Sequence, residues 1–141
     1  MKNLILISLL ICSVISCSKD EKFDSKQYPQ KWQLIKMTGQ IPNSETTGAE
    51  MEWQESYLLN SDGTFSKSRE RSGILTEVSG TFVFKDLSDG KFLELTYESD
   101  NDIIGSCYAD HTESFWLKSE SKLMGTWSYC DGPGLEYERV K

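Results

Sequence analysis

Three charged side chains fall on the apolar face of a predicted β-hairpin. Glu55 lies on one strand, and Lys67 and Arg69 lie on the next. A packed protein interior does not normally hold three charges. In one explanation, the hairpin is part of a β-barrel whose mouth is accessible to water. Arg69 or Lys67 then binds the carboxylate of a ligand beneath aromatic side chains that form the walls. In the other, Glu55 and Arg69 form a half-exposed ion pair near the rim.

We favour the structural explanation because ion pairs at strand ends are routine. A ligand site stays open, since a barrel of eight strands is just wide enough for one small molecule. The residues predicted to line such a site are Trp53, Glu55, Tyr57, Phe65, Lys67, Arg69, Phe82 and Tyr97.

Catalysis has little support in the sequence, and we expect no enzymatic activity and no cofactor. The single histidine, His111, lies in a polar stretch between strands, where a solvated role is the simpler interpretation. A metal site needs more ligands than His111, Cys107 and Cys130 offer. Other carboxylates alternate onto a predicted outward face, where they are solvated strand charges; they are Glu94, Glu98, Glu136 and Glu138.

Alternation of apolar and polar residues predicts β-strands throughout, and no stretch has a convincing helical period. The turn Ser61-Asp62-Gly63 sets Leu59 opposite Phe65, Tyr57 opposite Lys67 and Glu55 opposite Arg69. A four-residue loop, residues 87–90, sets Phe84 against Leu93, Phe82 against Leu95 and Gly80 against Tyr97. Further strands are predicted at 103–108, 113–118, 122–129 and 135–139, and a long loop at 39–50.

Eight or nine short strands joined by tight hairpins tend to close, because an open sheet leaves unpaired edges. The predicted fold class is therefore all-β, with a single antiparallel up-and-down barrel. The alternative is a two-sheet β-sandwich built from the same hairpins.

The N-terminus predicts secretion. Lys2 precedes an apolar run, residues 4–12, which is too short to span a bilayer. The sequence Val14-Ile15-Ser16-Cys17 resembles the bacterial lipobox. The resemblance implies a signal peptide over residues 1–16 and a lipid on Cys17, which anchors the chain to a membrane. The alternative is an ordinary signal peptide followed by a chance cysteine.

A charged segment, Ser18-Lys19-Asp20-Glu21, follows the lipobox. It resembles the signal that sends lipoproteins of the Bacteroidetes group to the outer face of the outer membrane. A solvated linker in a periplasm-facing protein is the alternative. We therefore divide the chain into a signal peptide (1–16), a lipidated polar tether (17–30) and a barrel domain (31–141).

Composition and cysteine content limit the number of domains, the partners and the disulfides of the mature protein. Removing residues 1–16 leaves 125 residues, the length of one domain, and changes the net charge from −7 to −8. Nucleic acid is excluded as a partner because no basic cluster is present, and we expect a monomer. Cys107 and Cys130 are predicted to form a disulfide outside the cytoplasm, closing a loop of about 23 residues and contributing roughly 3 kcal/mol.

Several segments of the barrel domain resemble lipocalin-like lipoproteins of Bacteroidetes: Lys31-Trp32-Gln33-Leu34, Ser61-Asp62-Gly63-Thr64-Phe65, Cys130-Asp131-Gly132-Pro133 and Tyr137-Glu138-Arg139-Val140. The resemblance implies that Trp32 plugs the barrel floor and that Arg139 packs over it. The family's glycine two residues before the tryptophan is replaced by Gln30.

These features predict a non-enzymatic lipoprotein that binds a small apolar or amphipathic ligand at the open end of its barrel. The alternative is a surface interaction module with a filled barrel, which contacts a protein or glycan through loops such as residues 39–50.

Overall fold

The structure, a computed structural model, describes residues 24–141. The predicted signal peptide, Cys17 and the first part of the tether lie outside the described residues. Between residues 24 and 141, none of the helices has the length and apolar character needed to cross a membrane.

In the described part of the chain, nine strands form one continuous antiparallel sheet. They are β1 (Gln30–Thr38), β2 (Glu45–Thr47), β3 (Gln54–Leu59), β4 (Thr64–Arg71), β5 (Ile74–Leu87), β6 (Gly90–Tyr97), β7 (Thr112–Ser119), β8 (Lys122–Gly125) and β9 (Gly134–Val140). Two 3₁₀-helices, Gly48–Glu50 and Trp127–Cys130, lie in the connections.

The sheet closes because β1 pairs with β9 as well as with β3. Trp32 lies opposite Tyr57 on one side and opposite Arg139 on the other. The short β2 pairs with Lys36–Thr38, the part of β1 that extends beyond β3. The predicted up-and-down barrel is confirmed, with eight strands in the closed sheet and β2 as an extra strand.

The predicted hairpin registers are confirmed at every pair. Glu55 lies opposite Arg69, and Tyr57 lies opposite Lys67, across a turn in which Gly63 takes a φ of +83°. All three pairs predicted between β5 and β6 are also observed. The loop between those strands is shorter than predicted, because Leu87 pairs with Gly90 and leaves two residues between them.

Three segments differ from the sequence-based prediction. Residues 103–108 form no strand, because the Ile103 carbonyl accepts hydrogen bonds from buried side chains and the Gly105 N–H donates to one. The predicted strand 122–129 ends at Gly125, and a 3₁₀-helix follows that leaves Tyr129 73% exposed. The predicted loop 39–50 contains β2 and the other 3₁₀-helix.

The barrel has two unlike ends. The N-terminal end carries residues 24–29 and the tight turns that follow β3, β5 and β7. The loop end carries the long connections 39–53, 98–111 and 126–133. The predicted Cys107–Cys130 disulfide is present and joins the last two of these connections. Between the ends, the core is a cluster of inward-facing aromatic and aliphatic side chains.

Candidate functional site

A cluster of ionisable side chains occupies the barrel interior. It is built by strand alternation: β3 directs Glu55 and Tyr57 inward, and β4 directs Lys67 and Arg69 inward. Strands β6, β7 and β9 contribute Tyr97, Glu113 and Tyr137. We call these seven residues the interior cluster; none of them is more than 6% exposed.

Lys67 is the centre of the interior cluster. Its ammonium nitrogen lies 3.4 Å from Glu55 Oε1 and 3.1 Å from Glu113 Oε2. It also donates a hydrogen bond of 2.5 Å to the carbonyl of Ile103, and it lies 5.0 Å from the centre of the Tyr57 ring. With a side chain that is 0% exposed, Lys67 depends on these protein groups for the interactions that water would otherwise supply.

Arg69 closes the interior cluster toward the loop end. Its Nε donates to Glu55 Oε2, and its Nη2 donates to the Ile103 carbonyl at 3.2 Å. The guanidinium carbon lies 4.3 Å from the centre of the Trp53 ring, which is itself 6% exposed. The segment around Ile103 thus covers the barrel mouth and binds both cations through one carbonyl.

Tyrosine hydroxyls add further hydrogen bonds to the same two carboxylates. Tyr137 donates to Glu55 Oε1 at 2.6 Å, and Tyr97 donates to Glu113 Oε2. The Tyr57 hydroxyl lies 3.0 Å from an oxygen of each carboxylate, so it can donate to either. Every charge of the interior cluster is therefore paired and hydrogen-bonded, which is the condition for burying charges at tolerable cost.

The pKa values of Glu55 and Glu113 are shifted in opposite directions. Burial alone would raise the pKa of Glu55, but the charges of Lys67 and Arg69 hold that pKa below its ordinary value. Burial raises the pKa of Glu113, and the Glu55 charge adds to this against the opposing effect of Lys67. Burial and the two carboxylates also raise the pKa values of the three tyrosines, which therefore remain hydrogen-bond donors; these are Tyr57, Tyr97 and Tyr137.

The structure brings most of the predicted ligand residues together. Trp53 stacks on Arg69, and Phe65 packs edge-on against Tyr97 with ring centres 5.0 Å apart. Phe82 lies elsewhere, half-buried between Tyr28 and Phe84. The predicted Glu55–Arg69 pair is observed, but its predicted half-exposed position is wrong, because the loop end covers it.

Sequence reasoning missed Glu113. It was placed in a strand but not among the site residues, although alternation puts it on the same face of β7 as Phe115. The Ile103 carbonyl was also missed, since the sequence predicted a strand there. The available signal was an acidic residue that alternates onto the same strand face as buried aromatic residues.

A separate pocket of about 210 Å³ lies at the N-terminal end. Trp32, Phe84 and Leu117 supply apolar walls, and Arg139 lies beside them. Arg139 donates hydrogen bonds to the carbonyls of Asp24 and Gln27, at 2.9 and 2.8 Å. The predicted floor pair, Trp32 and Arg139, thus lies at this end, and we call the cavity beside it the floor pocket.

Two tryptophans hold buried indole N–H groups without an acceptor among residues 24–141. Trp32 lines the floor pocket and is 1% exposed. Trp53 lies at the loop end and lines a wide, open depression together with Met51 and Glu70. A buried indole N–H usually finds a partner, so these two donors are exceptions to the hydrogen-bond satisfaction of the rest of the interior.

The other described surfaces are weaker candidates for a functional site. Three further pockets, all open to solvent, lie along the loops and β8–β9, and neither Tyr57, Phe82 nor Tyr97 lines any of them. His111 lies at the surface, with Nε2 2.8 Å from Asp100. Within residues 24–141, no three histidine, cysteine or acidic side chains are grouped so as to hold a metal ion.

Comparison of the chain with protein-family models, with curated proteins and with solved structures finds no significant match in any of the three. Membership of the lipocalin-like lipoproteins therefore stays a prediction.

Replacing Lys67 by Met removes the cation between two buried carboxyl groups. We expect the free energy of unfolding to fall by about 3–5 kcal/mol, the usual cost of leaving a buried charge unpaired. The matched change Lys85→Met breaks a surface pair with Glu94, and it should cost less than about 1 kcal/mol. Urea unfolding measures both. Losses of similar size would contradict the central role of Lys67.

Stability should depend on pH through Glu55. Because the folded-state pKa of Glu55 lies below its unfolded value of 4.5, its stabilising contribution is complete above that value and is lost as the pH falls through the folded pKa. The difference in unfolding free energy between wild type and Glu55→Gln should therefore shrink as the pH is lowered from 6 to 3. A difference that stays constant over this range would show that folding does not favour ionised Glu55.

Proposed function

We propose that the chain is a lipid-anchored, extracytoplasmic, non-enzymatic binding protein with a lipocalin-like barrel, and that it binds a small apolar or amphipathic ligand. The floor pocket is the observation that carries the proposal. It is a concave, partly open pocket that combines apolar walls with buried polar side chains, which are usual features of a small-molecule site.

The floor pocket is a better candidate than the barrel interior. A ligand inside the barrel would have to displace hydrogen bonds among Glu55, Lys67 and Glu113, all of them fully or almost fully buried. Leaving any of these charges unpaired costs several kcal/mol, as is general for broken buried ion pairs (about 3–5 kcal/mol). In the floor pocket, a ligand meets Phe84, which is already 37% exposed, and disturbs no buried ion pair.

The proposed anchor lies close to this end. Asp24 lies seven positions after Cys17, and an extended chain of that length spans at most about 25 Å. The floor pocket includes Ser25, so it would face the lipid surface at short range. We propose the outer membrane as the location, with the barrel on the cell surface; the periplasm-facing side is the alternative.

A second candidate function is an interaction module that binds a protein or glycan. The filled interior favours it, because the barrel then serves as a rigid scaffold. Exposed apolar side chains at the loop end also favour it: Ile41 is 71% exposed, Ile74 69% and Leu75 61%. Ile41 lies in the connection that the sequence predicted as a contact region.

The anchor predicts a specific labelling pattern. Cells fed a radiolabelled or clickable fatty acid should incorporate the label into the wild-type chain, and Cys17→Ser should abolish incorporation. Cys12→Ser is the matched control, since it changes a cysteine of the predicted signal peptide, and it should label normally. Equal labelling of wild type and Cys17→Ser would contradict the anchor.

The floor pocket predicts binding of a neutral lipophilic fluorophore such as N-phenyl-1-naphthylamine. Residues 17–141 carrying Cys17→Ser should give a saturable rise in fluorescence, and Phe84→Ser should weaken the affinity several-fold by removing an apolar wall. Leu75→Ser is the control, because it removes an exposed apolar side chain at the other end of the same strand. Loss of binding in Leu75→Ser alone would place the site at the loop end instead.

A further inference from the structure

The amine of Lys67 lies against a carboxyl group inside the barrel. Its Nζ is 3.2 Å from Oε1 and 3.1 Å from Oε2 of Glu113. The carboxyl carbon lies between these two oxygens, so the nitrogen and that carbon are at roughly the 3–3.5 Å separation of a near-attack geometry. Glu55 presents Oε1 to the same amine at 3.4 Å, and Arg69 binds its other oxygen.

Water is excluded from this group of side chains. The side chains of Lys67 and Glu55 are 0% exposed, and that of Glu113 is 2% exposed. In bulk water an amine and a carboxyl group ionise and stay separate, because both ions are well solvated. In a buried site each charge carries a desolvation penalty that a neutral amide does not. Burial therefore favours condensation of the two groups.

Hydrogen-bond donors surround the carboxyl group of Glu113. The N–H of Gly105 donates to Oε1 at 3.1 Å, and the hydroxyls of Tyr57 and Tyr97 donate to Oε2. Attack on the carboxyl carbon would place negative charge on Oε1, where the fixed N–H donor stabilises it. Burial also raises the pKa of Glu113, which favours the neutral acid, the form that is attacked more readily.

Glu55 and Tyr57 supply a route for the protons. The charges of Lys67 and Arg69 hold the pKa of Glu55 below its ordinary value, so its carboxylate is ionised and can accept a proton from Lys67. The hydroxyl of Tyr57 lies 3.0 Å from Glu55 Oε1 and 3.0 Å from Glu113 Oε2. A proton on Glu55 can therefore pass through this hydroxyl to Oε2.

We propose that Lys67 and Glu113 condense spontaneously to an intramolecular amide, with Glu55 as the proton acceptor. The ammonium gives one proton to Glu55, Nζ forms a bond to Cδ of Glu113, and the bond from Cδ to Oε2 breaks. The leaving hydroxyl takes a proton from Glu55 through Tyr57 and departs as water, and the nitrogen gives its second proton to Glu55.

The net reaction converts an ammonium, a carboxylic acid and a carboxylate into an amide, a water molecule and a carboxylic acid, with no oxidant or reductant. The amide joins β4 to β7, which are not neighbours in the sheet, through the centre of the barrel. It does not depend on the proposed function.

Mass spectrometry of residues 17–141 carrying Cys17→Ser, with the disulfide reduced, tests the proposal. The intact chain should be lighter than its sequence by one water, about 18 Da. Trypsin should release residues 37–69, in which Lys67 is not cleaved, joined to residues 92–118, which contain Glu113. Fragmentation of this branched peptide locates the bond.

Three substitutions complete the experiment. Lys67→Met removes the amine and should restore the full sequence mass. Glu55→Gln cannot accept the proton, and it should slow the loss of water about 100-fold, as followed by mass after a short pulse of synthesis. Lys85→Met is the matched control. The amine of Lys85 lies 2.6 Å from Glu94, but these side chains are 43% and 31% exposed, so this pair should form no amide and the variant should still lose one water.

Several results would overturn the proposal. One is recovery of residues 37–67 and 92–118 as separate linear peptides from the folded chain. Another is loss of water confined to residues 37–69, which would place the change at Glu55 or at the Asp62-Gly63 step. Loss of water that persists in Lys67→Met would exclude the amine. An equal rate in Glu55→Gln would exclude Glu55 as the proton acceptor. The fluorophore titration of the floor pocket is unaffected by any of these results.

Discussion

The structure depends on the ion pairs that Lys67 makes with two buried carboxyl groups. A closed barrel this small has an interior only as wide as its side chains, so whatever occupies it must satisfy its own hydrogen bonds. Here Lys67 lies between Glu55 and Glu113, and three tyrosine hydroxyls donate hydrogen bonds to the carboxylate oxygens. Strands on opposite sides of the barrel are thereby joined through its centre. The same network with only half of its hydrogen bonds would stabilise the fold less than an apolar core.

Filling the interior with charges decides where function can lie. The loop end is closed from within, because the Ile103 carbonyl accepts from both Lys67 and Arg69, and the Cys107–Cys130 bridge fixes the connection that carries it. Among residues 24–141, the N-terminal end has no such closure: Trp32 and Arg139 leave a pocket between the barrel wall and residues 24–29. A barrel held rigid by its interior cluster can present that pocket with little loss of conformational entropy on binding.

Sequence alone predicted the pairing of this barrel well, because side-chain alternation and turn glycines act locally. The turn at Gly63 fixes Glu55 opposite Arg69, and every predicted pair between β5 and β6 follows from the same logic. The depth at which those charges lie was not predictable, since it depends on residues 98–111 folding across the barrel mouth. Residues 103–108 of that segment were predicted as a strand from their apolar content. The carbonyl of Ile103 instead accepts hydrogen bonds from side chains more than thirty residues earlier in the chain. Local sequence patterns carry no information about such long-range contacts.

The floor pocket was likewise beyond sequence reasoning. Arg139 was expected to pack over Trp32, and the space that Phe84 and Leu117 leave beside them depends on how four strands, β1, β5, β7 and β9, are placed around the barrel. The most direct measurement is a two-dimensional ¹⁵N–¹H NMR titration of residues 17–141 carrying Cys17→Ser with N-phenyl-1-naphthylamine, because that chain keeps Ser25 and Gln30 in the pocket lining. A ligand in the floor pocket should shift the amides around Trp32, Phe84 and Leu117 and leave those of Lys67 and Glu113 unmoved. Shifts centred on Lys67 and Glu113 would contradict it, because they would show a ligand inside the barrel.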